Sequence, residues 1–170
     1  GDASLGQHCG EQYHPKNAGP LTYVVVNSPT MADAFTNIAR YLGVHNEAAR
    51  VSFERGERWA RLAHTLDFPA DQCRQHAEFS LAVGLGLIRL MVGADWVPVE
   101  VEFAHKPPAH TSEHARVFRA PVRFGADANL TTIYRLFYKV GTVHWILGRA
   151  VRLWSAHYDS GYCEVATRGP

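Results

Sequence analysis

Apolar residues recur at steps of three and four in two segments of the chain, a spacing that predicts helices. The first helix is expected over Met31–Leu42, after a Ser-Pro-Thr start, and Gly43 should end it. The second is expected over Ala70–Val92; its second half is apolar almost all round, which predicts a central buried helix. Gly84 and Gly86 each cost about 1 kcal/mol in a helix interior, so we expect them to allow close approach of another backbone.

Alternation of apolar and polar residues predicts the strands. Ala49–Phe53 and Trp59–Leu66 alternate on either side of a Glu-Arg-Gly-Glu turn, which is typical of a hairpin. Val97–Phe103 predicts a strand with one wet face and Pro121–Phe124 a shorter strand, with a short polar helix over Thr111–Phe118 between them. Together these elements predict an α+β fold, in which an antiparallel sheet has the long helix packed on one face.

The last part of the chain has a different pattern. Apolar residues in Leu130–Trp154 recur at alternating steps of three and four, a seam interrupted by His144. The seam predicts a C-terminal helical segment that either forms a dimer helix or packs on its own domain. A third possibility is a tail that is not helical throughout. We place the boundary at Asn129, which gives one domain over residues 1–129 and a helical extension over residues 130–170.

Composition narrows the class of protein. The chain has 170 residues and is 46% hydrophobic, which suits one soluble domain. Because 17 Lys and Arg balance 16 Asp and Glu, the chain lacks the basic excess that nucleic-acid binding normally needs. The 3 Cys include no Cys-x-x-Cys pair, which favours a reducing compartment. With no signal peptide and no apolar run of membrane-spanning length, we expect a cytoplasmic protein without a membrane segment.

The His-rich stretch Phe103–His114 offers a candidate metal site. His110 and His114 are four residues apart, on one face of a helix, and His105 is near in sequence, a spacing that suits zinc. No Cys lies nearby and no fourth ligand is evident, so the pattern favours a solvated polar helix after a loop. We therefore expect no metal and no other cofactor. A small His-dependent metal-binding protein or enzyme stays open as an alternative.

A catalytic nucleophile is a second possibility for the chemistry of this chain. Cys73 and His76 are three apart on the long helix, which permits contact between their side chains. Cys73 also suits a packed position on the buried face of that helix. The chain has no Gly-x-Ser-x-Gly elbow, phosphate-binding loop or dinucleotide-binding motif. The residues therefore predict a protein that is not an enzyme.

Four stretches together resemble the N-terminal effector-binding domain of AraC-type transcription regulators, the arabinose-binding-domain family. They are LTYVVVNSPTMADAFTNIARYL at Leu21–Leu42, the hairpin at Val51–Leu66, CRQHAEFSLAVGLGLIRLMVGADWVPVEVEFAHKPP at Cys73–Pro108, and FRAPVRFGADAN at Phe118–Asn129. The resemblance covers about Ser4–Asn129. It implies a short buried helix over Leu21–Val26, where β propensity alone favours a strand.

Domains of this kind sense small molecules and dimerise, and they bias a DNA-binding module that follows them. After Asn129 the family's pattern fades, and Leu130–Pro170 is too short for two helix-turn-helix units. The resemblance therefore implies a small apolar or weakly charged effector and a homodimer, without direct nucleic-acid binding by this chain. A purely structural protein-interaction module is the remaining alternative.

A sensor needs a mostly apolar cavity in which a few polar groups converge on the ligand. The candidate ligand-binding residues are polar or aromatic residues in otherwise apolar segments: Tyr23, Asn27, His76, Phe79, His105 and Phe124. The amide of Asn27 is expected to point inward because it ends an apolar run. In the alternative interpretation, His105 and Glu78 satisfy buried backbone groups or each other.

Overall fold

The computed structural model describes residues 2–56 and 59–134, which form one sheet surrounded by helices. Two short 3₁₀ helices lie at Pro15–Ala18 and Ala70–Gln72. In chain order, the α-helices and strands are α1 (Leu5–Glu11), α2 (Pro20–Val26), α3 (Met31–His45), β1 (Ala49–Arg55), β2 (Trp59–Leu66), α4 (Arg74–Val92), β3 (Glu100–Phe103), α5 (Ser112–Phe118), β4 (Val122–Phe124) and β5 (Asn129–Tyr134). The predicted α+β class is confirmed.

The strands form a sheet in the order β1-β2-β5-β3-β4. β1 and β2 make the predicted hairpin, in which Ala49 pairs with Leu66 and Arg55 with Ala60. β5 lies in the centre, antiparallel to both β2 and β3, while β4 pairs with β3 in parallel at the edge. The sheet is therefore mostly antiparallel, as the pattern predicts, with one parallel pair.

The central strand corrects the expected start of the C-terminal helix. Leu130 and Ile133 are three apart, as in a helical seam, but both lie in β5. The segment is rich in β-branched residues, and β5 pairs with a strand on each side, which outweighs the helical spacing. The helical prediction is wrong for residues 130–134. The rest of Leu130–Trp154 lies outside the described residues.

The two helices before the sheet differ from the simplest predictions. At α3, Thr30 Oγ1 accepts a hydrogen bond from the backbone N–H of Asp33 at 3.1 Å, the expected N-cap. Gly43 does not end this helix, because its φ is not left-handed and the helix continues to His45. Residues Pro20–Val26 form the helix that the family resemblance implies and not the strand that β propensity favours. Pro20 occupies the first turn of α2, and the helix packs on α3.

Helix α4 runs through the hydrophobic core, as predicted, and packs closely on α1. The close approach is at Gly10 of α1, where an added Cβ would lie 2.6 Å from the Cβ of Ala82. At Gly84 and Gly86 a Cβ would meet no neighbouring atom of the described residues within 4 Å, so the predicted backbone approach there is wrong. Within the described part of the chain, no helix is both long and apolar enough to cross a membrane.

Arg89 fastens the end of α4 to the end of α5. Its Nε donates to the carbonyl of Trp96 at 3.1 Å, and its Nη1 and Nη2 both donate to the carbonyl of Val117 at 3.3 Å. Nη2 also reaches the carbonyl of Phe118 at 3.5 Å. The last carbonyl groups of a helix have no partner within the helix. Arg89 supplies donors to those of α5 and so connects its end to α4.

Candidate functional site

A cavity of about 170 Å³ lies between α4, the sheet and the helices α2 and α3. This is the position between the long helix and the sheet where a sensor of the expected kind would hold its ligand. The exposed side chains of His45 and His76 line its edges, so the cavity opens to solvent. Its apolar walls are contributed by every one of these elements, and include Val25, Phe35, Ile38, Leu62, Leu87 and Met91.

The volume of the cavity limits what it can hold. An apolar cavity of roughly 150 Å³ accepts one molecule the size of benzene. Gly84 lines the wall on the α4 side, and a Cβ built there meets no atom within 4 Å. The absence of a side chain at Gly84 therefore enlarges the cavity.

Polar groups gather at one end of the cavity. The rings of His64 on β2 and His76 on α4 stack with their centroids 5.8 Å apart and an angle of 17° between their planes. His76 Nδ1 lies 3.2 Å from the Ser80 hydroxyl. His64 is 6% exposed, and its Nδ1 is buried with no hydrogen-bond partner among the described residues. His64 lines the cavity, so this nitrogen is a candidate partner for a polar group of a ligand.

The protonation state of His64 follows from its surroundings. Burial, together with the neighbouring charge of His76, lowers the pKa of His64 from the ordinary 6.5 to about 4. The ring is therefore neutral near pH 7. A neutral imidazole presents one N–H donor and one acceptor nitrogen, so the polar end of the cavity suits an uncharged hydrogen-bonding group.

Comparison with known proteins identifies the family. The sequence matches the family described as "Arabinose-binding domain of AraC transcription regulator, N-term" over residues 1–135. The chain belongs to this family. No significant match was found among curated proteins. Among solved structures, the domain is similar to the transcriptional regulator CdpR from Pseudomonas aeruginosa, with a TM-score of 0.65 and 17% sequence identity. That match covers 78% of this chain and 44% of the other, so it shows a shared fold over less than half of CdpR.

Two of the six predicted ligand-binding residues of this arabinose-binding-type domain line the cavity, namely His76 and Phe79. Two others lie on the outer side of α2. Tyr23 is 47% exposed, and the amide of Asn27 donates to the carbonyl of Tyr23 at 2.8 Å. The expectation that the Asn27 amide points inward is wrong, because this local hydrogen bond holds it in an exposed position at the C-cap of the helix.

The remaining two, His105 and Phe124, lie in a second buried cluster outside the cavity. The ring of Phe124 is 5.6 Å from that of His105 and 5.1 Å from that of His114. Phe103, which lies on β3, packs against both histidines. The structure therefore divides the predicted site residues among three places: the cavity, the exposed side of α2 and this second cluster. Whether each of them contacts a ligand stays a prediction.

The burial of His114 shows that the interpretation of α5 as a solvated helix is wrong for this face of the helix. His114 is only 1% exposed, and its Nε2 lies 3.0 Å from Oε1 of the equally buried Glu78. His110 is exposed in the loop before α5 and does not join this cluster. His105 Nε2 lies 3.5 Å from the same Glu78 oxygen, as the alternative pairing of His105 with Glu78 anticipated.

The pKa of Glu78 in this second cluster depends on effects that oppose one another. Burial acts to raise the pKa of the Glu78 carboxyl, but hydrogen bonds from His114 and Gln7 and the charge of Arg74 outweigh it and lower the pKa. Burial lowers the pKa of His105. Glu78 is therefore ionised and His105 neutral near pH 7.

Several polar residues of the cavity were not among those predicted from the sequence, above all His64, Ser80 and Thr131. A signal for His64 exists in the chain: the inward positions of β2 alternate as Ala60, Leu62 and His64. Thr131 was missed because its segment was assigned to a helix. Ser80 lies one turn beyond His76 on α4, and the helical spacing alone marks it as a neighbour of that histidine.

Proposed function

We propose that this domain is the effector-binding part of a transcription regulator, and that it binds one small, largely apolar molecule in the cavity between α4 and the sheet. The observation that carries the proposal is the cavity itself, with apolar walls and one buried, unpartnered nitrogen, His64 Nδ1. An apolar body with a single hydrogen-bonding group matches this lining. His76 and Phe79 are proposed as contacts for the ligand.

Family membership supports regulation without catalysis. In the proposal, binding changes the stability of the domain and performs no reaction, so the domain is not an enzyme. Cys73, the candidate nucleophile predicted from the sequence, is half-buried at the start of α4. The Nδ1 of His76, which would have to act as its base, lies next to the Ser80 hydroxyl instead. No feature of this pair favours a catalytic function.

The chemistry of the lining favours an aromatic or alkyl ligand over a sugar. A sugar carries a hydroxyl on nearly every carbon, and each buried hydroxyl costs free energy unless it is hydrogen-bonded. Three polar side chains of this cavity, those of His64, His76 and Ser80, lie next to one another, while most of the lining residues are apolar. We therefore propose that the effector of this chain differs from the arabinose in the family's description.

Homodimer formation, a cytoplasmic location and the lack of a DNA-binding module stay predictions. The expected dimer segment, Leu130–Trp154, lies mostly outside the described residues. The five of its residues that are described belong to the sheet, so a dimer helix would have to begin after Tyr134.

Binding of phenol and indole tests the proposal, with L-arabinose as the contrasting probe. A ligand that binds only the folded state raises the free energy of unfolding, by about 2.7 kcal/mol at 100 times its Kd. We expect phenol and indole, but not arabinose, to raise the thermal midpoint measured by circular dichroism. The 1:1 stoichiometry is checked by calorimetry.

Two matched variants locate the site. Gly84→Leu places a side chain in the cavity, whereas Gly86→Leu places the same side chain on the exposed face of the same helix. Both remove a helical glycine, which should stabilise the free domain by up to about 1 kcal/mol. We expect stabilisation by indole to be lost in Gly84→Leu and kept in Gly86→Leu. Equal stabilisation of both variants, or a response to arabinose as large as that to indole, would contradict the proposal.

A further inference from the structure

Four buried polar side chains from different parts of the chain meet beneath α5. Gln7 comes from α1, Glu78 from α4, His105 from the loop after β3 and His114 from α5, and each is at most 1% exposed. Glu78, His105 and His114 each offer one ligand atom, and these atoms all lie within 4.8 Å of one another. The cluster is separate from the cavity, whose lining includes none of the four.

The hydrogen bonds of His114 conflict with one another. Its Nε2 lies 2.9 Å from the amide nitrogen of Gln7 and 3.0 Å from Oε1 of Glu78. A ring nitrogen carries either a proton or a lone pair. If it carries the proton it faces the N–H groups of the amide, and if it carries the lone pair it faces a carboxylate oxygen. With the amide in this orientation one of the two contacts is unfavourable, and either a half-turn of the amide or a cation between the groups removes the conflict.

His105 has a similar conflict. Its Nδ1 lies 2.8 Å from the carbonyl of Lys106, and a carbonyl only accepts, so Nδ1 carries the proton. Its Nε2 is the nitrogen left for another partner, and it is buried, without a hydrogen-bond partner and 3.5 Å from the same carboxylate oxygen of Glu78. A cation between this nitrogen and the carboxylate oxygen would satisfy both atoms.

The distances fit a zinc ion. Zinc binds His nitrogen and carboxylate oxygen at about 2.0–2.2 Å in tetrahedral geometry, which puts neighbouring ligand atoms about 3.3 Å apart. The separations from Glu78 Oε1, 3.0 Å to His114 and 3.5 Å to His105, lie on either side of that value. The hydrogen bond from His105 Nδ1 to a backbone carbonyl is the outer contact that metal-binding histidines typically make.

Gln7 can complete the set. Its Oε1 is buried without a partner, while its Nε2 faces His114. The oxygen and nitrogen of an amide are distinguished only by their hydrogen bonds, and a half-turn of the amide brings the oxygen to the position facing the ring. The buried side-chain atoms without a partner in the described residues include two of the proposed ligand atoms, Gln7 Oε1 and His105 Nε2.

We propose that Glu78, His105 and His114, completed by the Gln7 amide oxygen, bind one Zn²⁺ ion. This departs from the prediction, made from the sequence, that the chain binds no metal. With four protein ligands and no open position, the site is structural. It ties α1 and α5 to α4, and the rings of Phe103, Phe118 and Phe124 pack around His114 and hold it in place.

Arg74 is the competing cation and marks the entry path. Its Nη1 lies 3.3 Å from Glu78 Oε1, and its Nη2 donates to the carbonyl of Ala3 at 3.0 Å. Unlike the ligands it is 27% exposed and lines a surface depression with Lys106 and His110. An ion entering from this depression displaces the guanidinium from Glu78. Removing that charge should therefore strengthen zinc binding.

The test uses the untagged 170-residue chain, stripped with a chelator and then equilibrated with Zn²⁺. We expect one Zn²⁺ per chain by mass spectrometry of the metal and a higher thermal midpoint. Replacement by Co²⁺ should give the visible absorption of a tetrahedral centre. His105→Gln and His114→Gln should each weaken binding at least about tenfold, while His110→Gln, a change at an exposed histidine of the same region, should leave it unchanged. Arg74→Gln should bind more tightly.

Several results would overturn the proposal. One is less than a stoichiometric amount of zinc retained by the wild-type chain after desalting; another is binding that persists unchanged in His105→Gln. Loss of binding in His110→Gln would indicate a surface histidine site instead. If a variant fails to fold, the cobalt absorption of the wild-type chain still decides, because an octahedral spectrum excludes the proposed ligand geometry. None of these results depends on ligand binding in the cavity.

Discussion

Lowering the pH should destabilise the folded domain through His64. The pKa of His64 is about 4 in the folded chain, against the ordinary 6.5, because the ring is buried in the cavity wall beside His76. The unfolded chain therefore takes up a proton at a pH where the folded chain does not. The free energy of unfolding falls as the pH drops below about 6.5, and the contribution is complete near pH 4.

The size of the effect follows from the difference between the two pKa values. Each pKa unit corresponds to about 1.4 kcal/mol, so the difference between 6.5 and about 4 for His64 corresponds to about 3 kcal/mol at most. Within the titration range the stability should fall by up to about 1.4 kcal/mol per pH unit. For a small domain this is a large part of a total stability of about 5–15 kcal/mol.

The assay compares urea unfolding of the wild-type chain and His64→Gln at several pH values between 7.5 and 4.5. The variant should lose less stability than the wild type over this range, because it has no ring to protonate in the unfolded state. Other groups with lowered pKa values, such as His105 and Glu78, act equally in both chains and cancel in the difference. The exposed His110→Gln serves as the control and should follow the wild type. Parallel curves for wild type and His64→Gln would refute the reasoning.

Two further predictions concern the packing that positions the cavity. Gly10→Ala should lower the free energy of unfolding in urea by about 1–3 kcal/mol, since its Cβ would lie 2.6 Å from the Cβ of Ala82. Gly43→Ala, in open space on α3, should instead stabilise the domain by about 1 kcal/mol. A loss of stability in both variants would contradict the packing argument. Arg89→Met should cost about 3 kcal/mol because it leaves several backbone carbonyls without their donor. Arg50→Met, which removes an exposed ion pair with Asp67, should cost less than about 1 kcal/mol. Equal costs would mean that Arg89 is not an important connection between α4 and α5.

Local patterns in the sequence predict much of this fold. The hairpin from Ala49 to Leu66 and the buried helix α4 are marked by strict alternation and by a long apolar run. In β5 the local pattern gave the wrong prediction. The three-residue step from Leu130 to Ile133 is compatible with a helix, but a single such step also occurs by chance in a strand. There the pairing with strands distant in sequence decides, and no local pattern contains it.

The candidate sites were predicted less completely than the fold, for the same reason. His76 and Phe79 were found because they interrupt or extend one helical pattern. The cluster of Glu78, His105 and His114 joins residues 27 and 36 positions from Glu78 through tertiary packing. The histidine spacing indicated part of it, but the carboxylate that completes it lies on another helix. The rings that pack against His114 include Phe103 and Phe124 from strands β3 and β4.

The location of a bound small molecule tests the central claim most directly. Amide and histidine-ring chemical shifts of the isotopically labelled chain are followed by NMR during titration with indole. Binding in the cavity predicts saturable shifts at His64 on β2 and at His76, Ser80 and Gly84 on α4, with residues around His105 unchanged. Saturable shifts confined to the region of His105, or no saturable shift at any residue lining the cavity, would contradict the assignment of this cavity as the effector site.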